Sequence, residues 1–199
     1  MTPLPVLGKE TPVAVLGAGR LGSSLAIALG KSGYNIAAIT SRKPSHREWL
    51  SSHLATGIAV ESLQTAANVA NIVFITGPDA DIEAICSGVK WRSHQAVIHC
   101  AGALSLAALD RARVAGAQTG GFHPLQTFPT IDSYDRLHEV SFATESASQT
   151  LLAWLHTLAE DLGGEAFLIE SSQRAAYHAS AVMACGLITG FTGLSAQMW

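Results

Sequence analysis

Short apolar runs alternate along the chain with stretches whose apolar residues recur at helical spacing. The runs of strand length lie at 13–16, 35–40, 71–76, 95–100, 117–122, 139–144 and 164–169, with a weaker one at 57–60. Helical spacing covers 20–32, 44–53, 81–87, 104–113 and 147–162. Strands that alternate with helices are typical of a mostly parallel sheet covered by helices on both faces. We therefore expect an α/β fold.

The pattern changes at the C-terminal end. Residues 173–199 predict one long helix, or two helices broken near 186–193, with apolar residues on nearly every side. A helix of this kind must be buried, and too little chain is left to bury it within one subunit. Glycines and His178 interrupt the run, which falls short of the roughly 20 uniformly apolar residues of a membrane span. We expect packing against a second subunit in a homodimer, no membrane insertion, and a domain at 1–169 followed by a short helical segment at 170–199.

The bulk composition excludes several classes of protein. The 199 residues suffice for one full α/β domain with a little left over. Charged residues make up only 14%, which indicates a large core or a buried interface, and a net charge of −3 without basic clusters argues against nucleic-acid binding. Three cysteines without C-x-x-C spacing, and histidines without ligand spacing, predict neither disulfide bonds nor a metal site. The N-terminus shows no secretory signal, so a cytoplasmic location is expected.

The turn after the first strand carries the clearest chemical signal. This glycine turn has the G-x-G-x-x-G arrangement and consists of Gly17, Ala18, Gly19, Arg20, Leu21 and Gly22. In a dinucleotide site the first glycine permits the tight turn, the second lets the backbone approach a pyrophosphate, and the third lets the helix pack closely on the strand. Glycines at these intervals also occur in ordinary loops, but the continuous strand before and the apolar helix after favour a Rossmann, doubly wound domain.

The end of the second strand indicates which dinucleotide is bound. NAD sites normally carry an acidic residue about 20 residues beyond the glycines, at this strand end. The predicted strand at 35–40 contains no acid and leads into Ser41, Arg42 and Lys43. A hydroxyl group, a planar guanidinium and a mobile ammonium suit a ribose 2′-phosphate, so we expect NADP. The alternative is that the two cations merely keep a loop soluble.

Two later turns are expected at the same edge of the sheet, where ligands bind in α/β folds. The first consists of Thr76, Gly77 and Pro78. It either lines the ribose of the cofactor or forms a plain turn before a helix. The second contains Ala101 and Gly102, and Gly102 would allow the close approach of a nicotinamide. The preceding Cys100 is expected to be a small buried residue rather than a nucleophile, because no base stands beside it in sequence.

Two histidines are candidates for proton transfer. His123 follows the predicted strand at 117–122, and a histidine that titrates near neutrality suits the proton transfer that accompanies hydride transfer. The alternative is that His123 hydrogen-bonds the backbone and shapes an irregular loop at 123–129. Arg174 and His178 share a helix face at i, i+4 spacing. That face either closes over a substrate, with Arg174 holding an anionic group, or is a capping or interface cluster.

Three motifs, in order along the chain, resemble a known group of proteins. They are Val97-Ile98-His99-Cys100-Ala101-Gly102-Ala103-Leu104-Ser105, Gly121-Phe122-His123-Pro124-Leu125-Gln126-Thr127-Phe128 and Ala176-Tyr177-His178-Ala179-Ser180-Ala181. The first 169 residues resemble the N-terminal domain of the 6-phosphogluconate dehydrogenase-like superfamily, which includes pyrroline-5-carboxylate reductase, prephenate dehydrogenase and deazaflavin-dependent NADP reductase. The chain more closely resembles a Rossmann-like oxidoreductase family of unknown function. Since prephenate dehydrogenases place a catalytic His-Pro at a similar distance, the resemblance implies a catalytic role for His123.

These observations lead to competing hypotheses about function. The first is an NADP-dependent oxidoreductase that acts on a small carbonyl, imine or hydroxy-acid substrate, with His123 as general acid/base and Arg174 or His178 closing the pocket. The alternative is a catalytically inactive NADP-binding or sensor protein, and a third is a structural dimer. Members of the resembled family continue into a further helical domain, whereas this sequence ends at Trp199. We expect a short form or a fragment, in which cofactor binding survives more readily than turnover.

Overall fold

In a computed structural model, which describes residues 6–54 and 57–199, eight strands form a single sheet. The strands are β1 (Val13–Leu16), β2 (Ile36–Thr40), β3 (Ile58–Val60), β4 (Ile72–Ile75), β5 (Ala96–His99), β6 (Gln118–Pro124), β7 (Ser141–Ser146) and β8 (Glu165–Leu168). Their order in the sheet is β3-β2-β1-β4-β5-β6-β7-β8. Neighbouring strands are parallel except for the antiparallel pair β6 and β7. The predicted Rossmann-like, mostly parallel α/β fold is confirmed.

Helices cover both faces of the sheet. They are α1 (Arg20–Lys31), α2 (Pro44–His53), α3 (Leu63–Asn68), α4 (Ile82–Ser87), α5 (Asp110–Val114), α6 (Gln149–Asp161), α7 (Arg174–Val182) and α8 (Ile188–Gln197). Successive residues of a strand point to opposite faces, so Val13 and Val15 join one apolar cluster while Ala14 and Leu16 join the other. The first cluster includes side chains of α1, α2 and α6, and the second includes side chains of α3, α4 and α5.

The strand order places a crevice beside β1. This strand pairs with β2 on one side and with β4 on the other, so the direction in which the chain crosses the sheet reverses there. Ligands bind at such a point, beyond the carboxyl ends of the strands. The glycine turn follows β1, Thr76 follows β4 and Gly102 lies beyond β5. The fold therefore brings these predicted site residues to one edge of the sheet.

Three elements differ from the sequence prediction. The helix α3 was not predicted, since six residues are too few for a periodic pattern. The strand β6 continues through Pro124, which pairs with β7, so His123 lies within a strand and not at the start of an irregular loop. The strand β7 begins two residues later than predicted, because Glu139 has a left-handed φ of 57° that is incompatible with extended backbone.

The C-terminal segment is one continuous helix, Ser171–Gln197, which includes a π-helical stretch at Met183–Leu187 between α7 and α8. Of the two alternatives that the sequence left open, the single long helix is observed and the break near 186–193 is not. None of the glycines at 186, 190 and 193 has a positive φ, and a glycine lowers helix stability without ending a helix unless it adopts another conformation.

This helix is also more exposed within the chain than its apolar sequence suggests. Every residue from 182 to 199 is exposed, so the burial expected of an apolar helix is not provided within the chain. By length and composition alone, its 27 residues are enough to cross a membrane, which the sequence interpretation excluded. The division of the chain into two domains at residue 169 stays a prediction.

Candidate active site

The glycine turn is packed so tightly against the end of β4 that side chains are excluded at two of its positions. Gly17 has a φ of 105°, and a Cβ there would lie 3.0 Å from the amide nitrogen of Gly77. A Cβ on Gly22 would collide with the carbonyl oxygen of Gly17 and with Oγ1 of Thr76. The Thr76 hydroxyl donates a hydrogen bond to that carbonyl at 2.7 Å. Gly17 and Gly22 are therefore required by the fold of the turn itself.

The remaining part of the glycine turn is open. No atom of the described residues lies within 4 Å of a Cβ built on Gly19, and no side chain in this part of the chain caps the start of α1. The Ala18 amide is bonded to the carbonyl of Thr40 at 2.8 Å, whereas Arg20 is exposed and Leu21 half-buried. An uncapped helix start beneath an open glycine is a site for an anionic group, so the residues present fit the pyrophosphate of a dinucleotide.

The carboxyl end of β2 lies beside this turn. The amide of Gly17 donates to Oγ1 of Thr40 at 2.9 Å, which joins the two segments. Arg42 and Lys43 are exposed, and neither has an ion-pair partner among the described residues. The structure thus brings the predicted hydroxyl and cations of residues 41–43 to the cofactor edge of the sheet.

The turn after β4 contacts the glycine turn and supports its structure. Thr76 is 8% exposed, and its hydroxyl is bonded to the backbone of Gly17. Gly77 contacts the glycine turn through its backbone, and Pro78 is exposed at the crevice. The Thr76 side chain is therefore a support for the turn, which leaves Gly77 and Pro78 as the candidates to border a ribose.

Two histidines from distant parts of the chain converge on Gly102. A Cβ on this glycine would lie 2.6 Å from Nδ1 of His178 and 2.9 Å from Nε2 of His123. The centroids of the two imidazole rings are 6.2 Å apart. Nδ1 of His178 is buried and has no hydrogen-bond partner among the described residues. Two imidazole nitrogens thus occupy the side of Gly102 on which a side chain would stand.

The environment of His123 keeps its imidazole neutral. Burial, with the nearby charges of His178 and Arg174, lowers the pKa of His123 to about 4. Nδ1 lies 2.8 Å from the Tyr177 hydroxyl, which leaves Nε2 on the side of Gly102. Burial raises the pKa of Tyr177, so that partner also stays uncharged. At neutral pH this pair offers a hydrogen-bonded but uncharged proton carrier.

Arg174 lies beneath the site and does not face a substrate. Its guanidinium is fully buried, with Nε 2.5 Å from a carboxylate oxygen of Glu145 and Nη1 3.1 Å from the carbonyl of Ala101. Helical spacing left open whether Arg174 holds an anionic substrate group on the same face as His178 or belongs to a capping or interface cluster. The structure does not favour the first alternative, because the Arg174 side chain is buried and Glu145 and the Ala101 carbonyl already bind its guanidinium.

A row of three residues across the sheet makes room for this guanidinium. Gly121 of β6 pairs with His99 of β5 on one side and with Glu145 of β7 on the other. A Cβ on Gly121 would collide with Nη2 of Arg174. The buried His99 has its pKa lowered to about 3, by desolvation and by the Arg174 charge, and its Nδ1 accepts a hydrogen bond from the Ala101 amide at 3.2 Å.

The sequence interpretation missed His99, Glu145 and Tyr177. The available signals were an ionisable residue at the end of an apolar strand, for His99 and Glu145, and the position next to His178, for Tyr177. Cys100 is buried, and burial raises the pKa of its thiol, so its prediction as a buried residue is confirmed. Within residues 6–54 and 57–199, no group of three or more His, Cys, Asp or Glu side chains could hold a metal ion.

Solved structures resemble the chain over most of its length. A Bacteroides fragilis protein assigned as an NADP oxidoreductase is 25% identical with a TM-score of 0.77, over 96% of this chain and 72% of that one. A reductive aminase from Aspergillus terreus, in complex with NADPH, is 14% identical with a TM-score of 0.70, over 94% and 63%. A prephenate dehydrogenase from Aquifex aeolicus, in complex with NAD+, is 14% identical with a TM-score of 0.70, over 85% and 63%. The last two likenesses concern the fold alone.

Family models match two segments of the chain. A search of curated protein sequences found no match. Residues 12–102 match the family described as NADP oxidoreductase coenzyme F420-dependent. Residues 140–199 match a domain of unknown function (DUF2520). The chain is thus similar to NADP oxidoreductases over residues 12–102 and to this domain over residues 140–199, and the resemblance indicated by the sequence is confirmed.

Proposed function

We propose that this protein is an NADP-dependent oxidoreductase that acts on a small carbonyl, imine or hydroxy-acid substrate. The observation that carries this proposal is the convergence of His123 and His178 on Gly102, which lies at the same edge of the sheet as the glycine turn. When bound, the nicotinamide supplies or accepts the hydride. The protein supplies the dinucleotide site and the groups that hold the proton.

The residues at the end of β2 support NADP over NAD. Ser41, Arg42 and Lys43 provide a hydroxyl and two unpaired cations, and β2 carries no acidic residue to receive a ribose hydroxyl. Structural neighbours are described with either cofactor, NADPH for the reductive aminase and NAD+ for the prephenate dehydrogenase. The choice of NADP for this chain therefore rests on its own side chains.

His123 is proposed to exchange the proton with the substrate. Its pKa of about 4 keeps it neutral at pH 7, and a neutral imidazole has one donor and one acceptor nitrogen. When Nδ1 donates to the Tyr177 oxygen, Nε2 takes the proton of a substrate hydroxyl as hydride leaves its carbon, and the ring becomes an imidazolium. In the reverse direction the imidazolium returns this proton from Nε2 to the carbonyl oxygen and becomes neutral again. His178 contributes a second polar atom toward the same space through its unpartnered Nδ1.

The buried Arg174 is proposed as a positioning residue. Its bonds to Glu145 and to the Ala101 carbonyl join the first turn of α7 to the end of β5. Tyr177 and His178 follow one turn later on the same helix. The ion pair thus fixes the distance between these two side chains and Gly102.

The apolar C-terminal helix supports a proposal about assembly and location. Met183, Leu187, Phe191 and Leu194 are exposed at 50% to 67%. We propose that they pack against a second copy of the chain, that the resulting homodimer is soluble, and that it is cytoplasmic. A contiguous apolar surface on one long helix is typical of a subunit interface.

The function is tested by NADPH oxidation with a panel of keto acids and cyclic imines. We expect turnover with at least one compound, and we expect His123→Ala to lower turnover about 100-fold while the Kd for NADPH is retained. The matched control is His94→Ala, which removes an exposed histidine before β5, at the opposite edge of the sheet. NADPH binding without oxidation across the panel would indicate a sensor. Unchanged turnover in His123→Ala would remove this residue from the mechanism.

A further inference from the structure

His46 joins the glycine-turn helix to the end of β2. It lies in the first turn of α2 and is half-buried. Nε2 of its ring is 3.3 Å from Oγ of Ser23 on α1, and Nδ1 is 3.3 Å from Oγ of Ser41. Both ring nitrogens thus face hydroxyl groups. One of these hydroxyls belongs to Ser41, a residue of the proposed NADP site.

The hydrogen atoms in this chain of contacts can be assigned. Ser23 donates its hydroxyl hydrogen to the Ala18 carbonyl at 3.3 Å, so its oxygen accepts from Nε2 of His46. In the neutral ring Nδ1 is then an acceptor, and Ser41 donates to it. The Ser41 oxygen also accepts from the Lys43 amide at 3.3 Å. While His46 is neutral, the Ser41 hydrogen is consequently unavailable to an anion.

The charges around His46 disfavour its protonation in the free protein. Burial and the Lys43 ammonium lower the pKa of His46. Other charged residues lie on the same segments. Arg42 precedes α2, and Arg47 and Glu48 lie on this helix, where the Arg47 guanidinium is 4.0 Å from the Glu61 carboxylate. Arg20 lies in the first turn of α1. Of the charged residues on these segments, four are cationic (Arg20, Arg42, Lys43 and Arg47) and two are acidic (Glu48 and Glu61). A phosphate dianion placed among these cations would reverse the balance.

We propose that His46 is a specificity residue for a ribose 2′-phosphate, which takes up a proton from solvent when a phosphate-bearing dinucleotide binds beside Ser41. This inference rests on the proposed NADP site. Once protonated, Nδ1 donates to the Ser41 oxygen, and the Ser41 hydroxyl hydrogen turns to a phosphate oxygen. One protonation therefore adds both a positive charge and a hydrogen-bond donor to the site, and a dinucleotide without the 2′-phosphate gains neither.

Proton uptake makes the preference for NADP+ depend on pH in a defined direction. Since binding raises the pKa of His46, NADP+ affinity rises as the pH falls, and NAD+ affinity does not. Between about pH 8.5 and about pH 6.5, we expect the ratio of the NAD+ Kd to the NADP+ Kd to rise about tenfold. Because the phosphate itself has a second pKa of about 6, the comparison is made above that value.

The test measures both dissociation constants across this range for the wild type, His46→Gln and the control His53→Gln. His53 lies on the same helix, is exposed, and bonds the Trp49 carbonyl and Ser52 rather than Ser41. We expect the pH dependence of the ratio to survive in His53→Gln and to fall below about twofold in His46→Gln. The same pH dependence in His46→Gln as in the wild type would overturn the inference.

Calorimetry on the wild type tests the inference independently of any variant. Titrations in two buffers of different ionisation enthalpy report the protons taken up on binding. We expect uptake of about half a proton or more near pH 7.5 with NADP+, and none attributable to this site with NAD+. Equal uptake with both dinucleotides would refute the role of His46 and leave the proposed function intact. A wild type that binds neither dinucleotide would refute both.

Discussion

The two ends of the candidate site are built in different ways. The cofactor end uses backbone groups and neighbouring residues, as in the glycine turn and in residues 41–43, which β1 and β2 bring together. The chemical end uses side chains from β6 and α7, which meet at Gly102 after β5. A site formed by backbone atoms tolerates few changes of shape. A site formed by side chains from distant segments depends on the contacts that hold those segments in place. Variants can separate these two kinds of dependence.

The largest effect is expected from loss of the Arg174–Glu145 ion pair, which supports the chemical end. Arg174→Met leaves the Glu145 carboxylate, whose side chain is 13% exposed, without its buried partner. Loss of one member of a buried pair costs about 3 to 5 kcal/mol of unfolding free energy, and thermal denaturation would measure it. The control is Arg113→Met, since the Arg113–Asp110 pair is exposed and its loss should leave the melting temperature nearly unchanged. Equal effects of the two variants would contradict the buried tether.

Acid is expected to lower the free energy of unfolding through the buried histidines of the chemical end. Folding lowers the pKa of His99 to about 3 and of His123 to about 4, whereas an unfolded histidine titrates near 6.5. Between these values the unfolded chain binds more protons, so the free energy of unfolding falls as the pH drops from about 6.5 toward 4. For His123 alone the loss is on the order of 3 kcal/mol.

Melting temperatures across this pH range, for the wild type and for His123→Asn, would test the acid effect. The variant should show a shallower decline, because one of the buried histidines that take up a proton on unfolding is gone. An identical decline in both proteins would assign the acid sensitivity to other groups.

Two glycines of the cofactor end should respond in opposite ways. Gly22→Ala places a Cβ against the Gly17 carbonyl and Thr76, so it should lower the unfolding free energy by about 1 to 3 kcal/mol and weaken binding as well. Gly19→Ala meets open space, so the melting temperature should stay unchanged while the Kd for NADP+ rises by about tenfold or more. Denaturation and binding assays on both variants decide the point. Tight binding by Gly19→Ala would show that the backbone there approaches no ligand.

The smallest effect is expected from single substitutions of Arg42 and Lys43 at the cofactor end. Arg42→Ala should weaken NADP+ about tenfold and leave NAD+ unchanged, because a charge-assisted bond to the 2′-phosphate is lost. Lys43→Ala should have a similar or smaller effect, since a flexible ammonium is less well oriented than a guanidinium. Equal weakening of both dinucleotides would point to a general charge effect rather than to recognition of the phosphate.

The contrast between the two ends also explains what the sequence could predict. The glycine turn and residues 41–43 are consecutive, and their spacing carries their chemistry, so their place at the cofactor edge follows from strand order. His123 and His178 were recognised singly, but their meeting at Gly102 depends on the antiparallel β7 and on the docking of α7. Helical spacing left two alternatives open for Arg174, because it gives the relative directions of side chains on a helix and not the depth at which the helix packs.

The C-terminal helix is attached to the sheet at one end. Arg174 is buried and Tyr177 and His178 are half-buried, whereas every residue from 182 to 199 is exposed. Its outer turns should therefore exchange amide hydrogens faster than its first turns. Because the helix is held only at its first turns, a partner bound to the exposed end would act on the tilt of those turns, and with it on the position of the His178 imidazole.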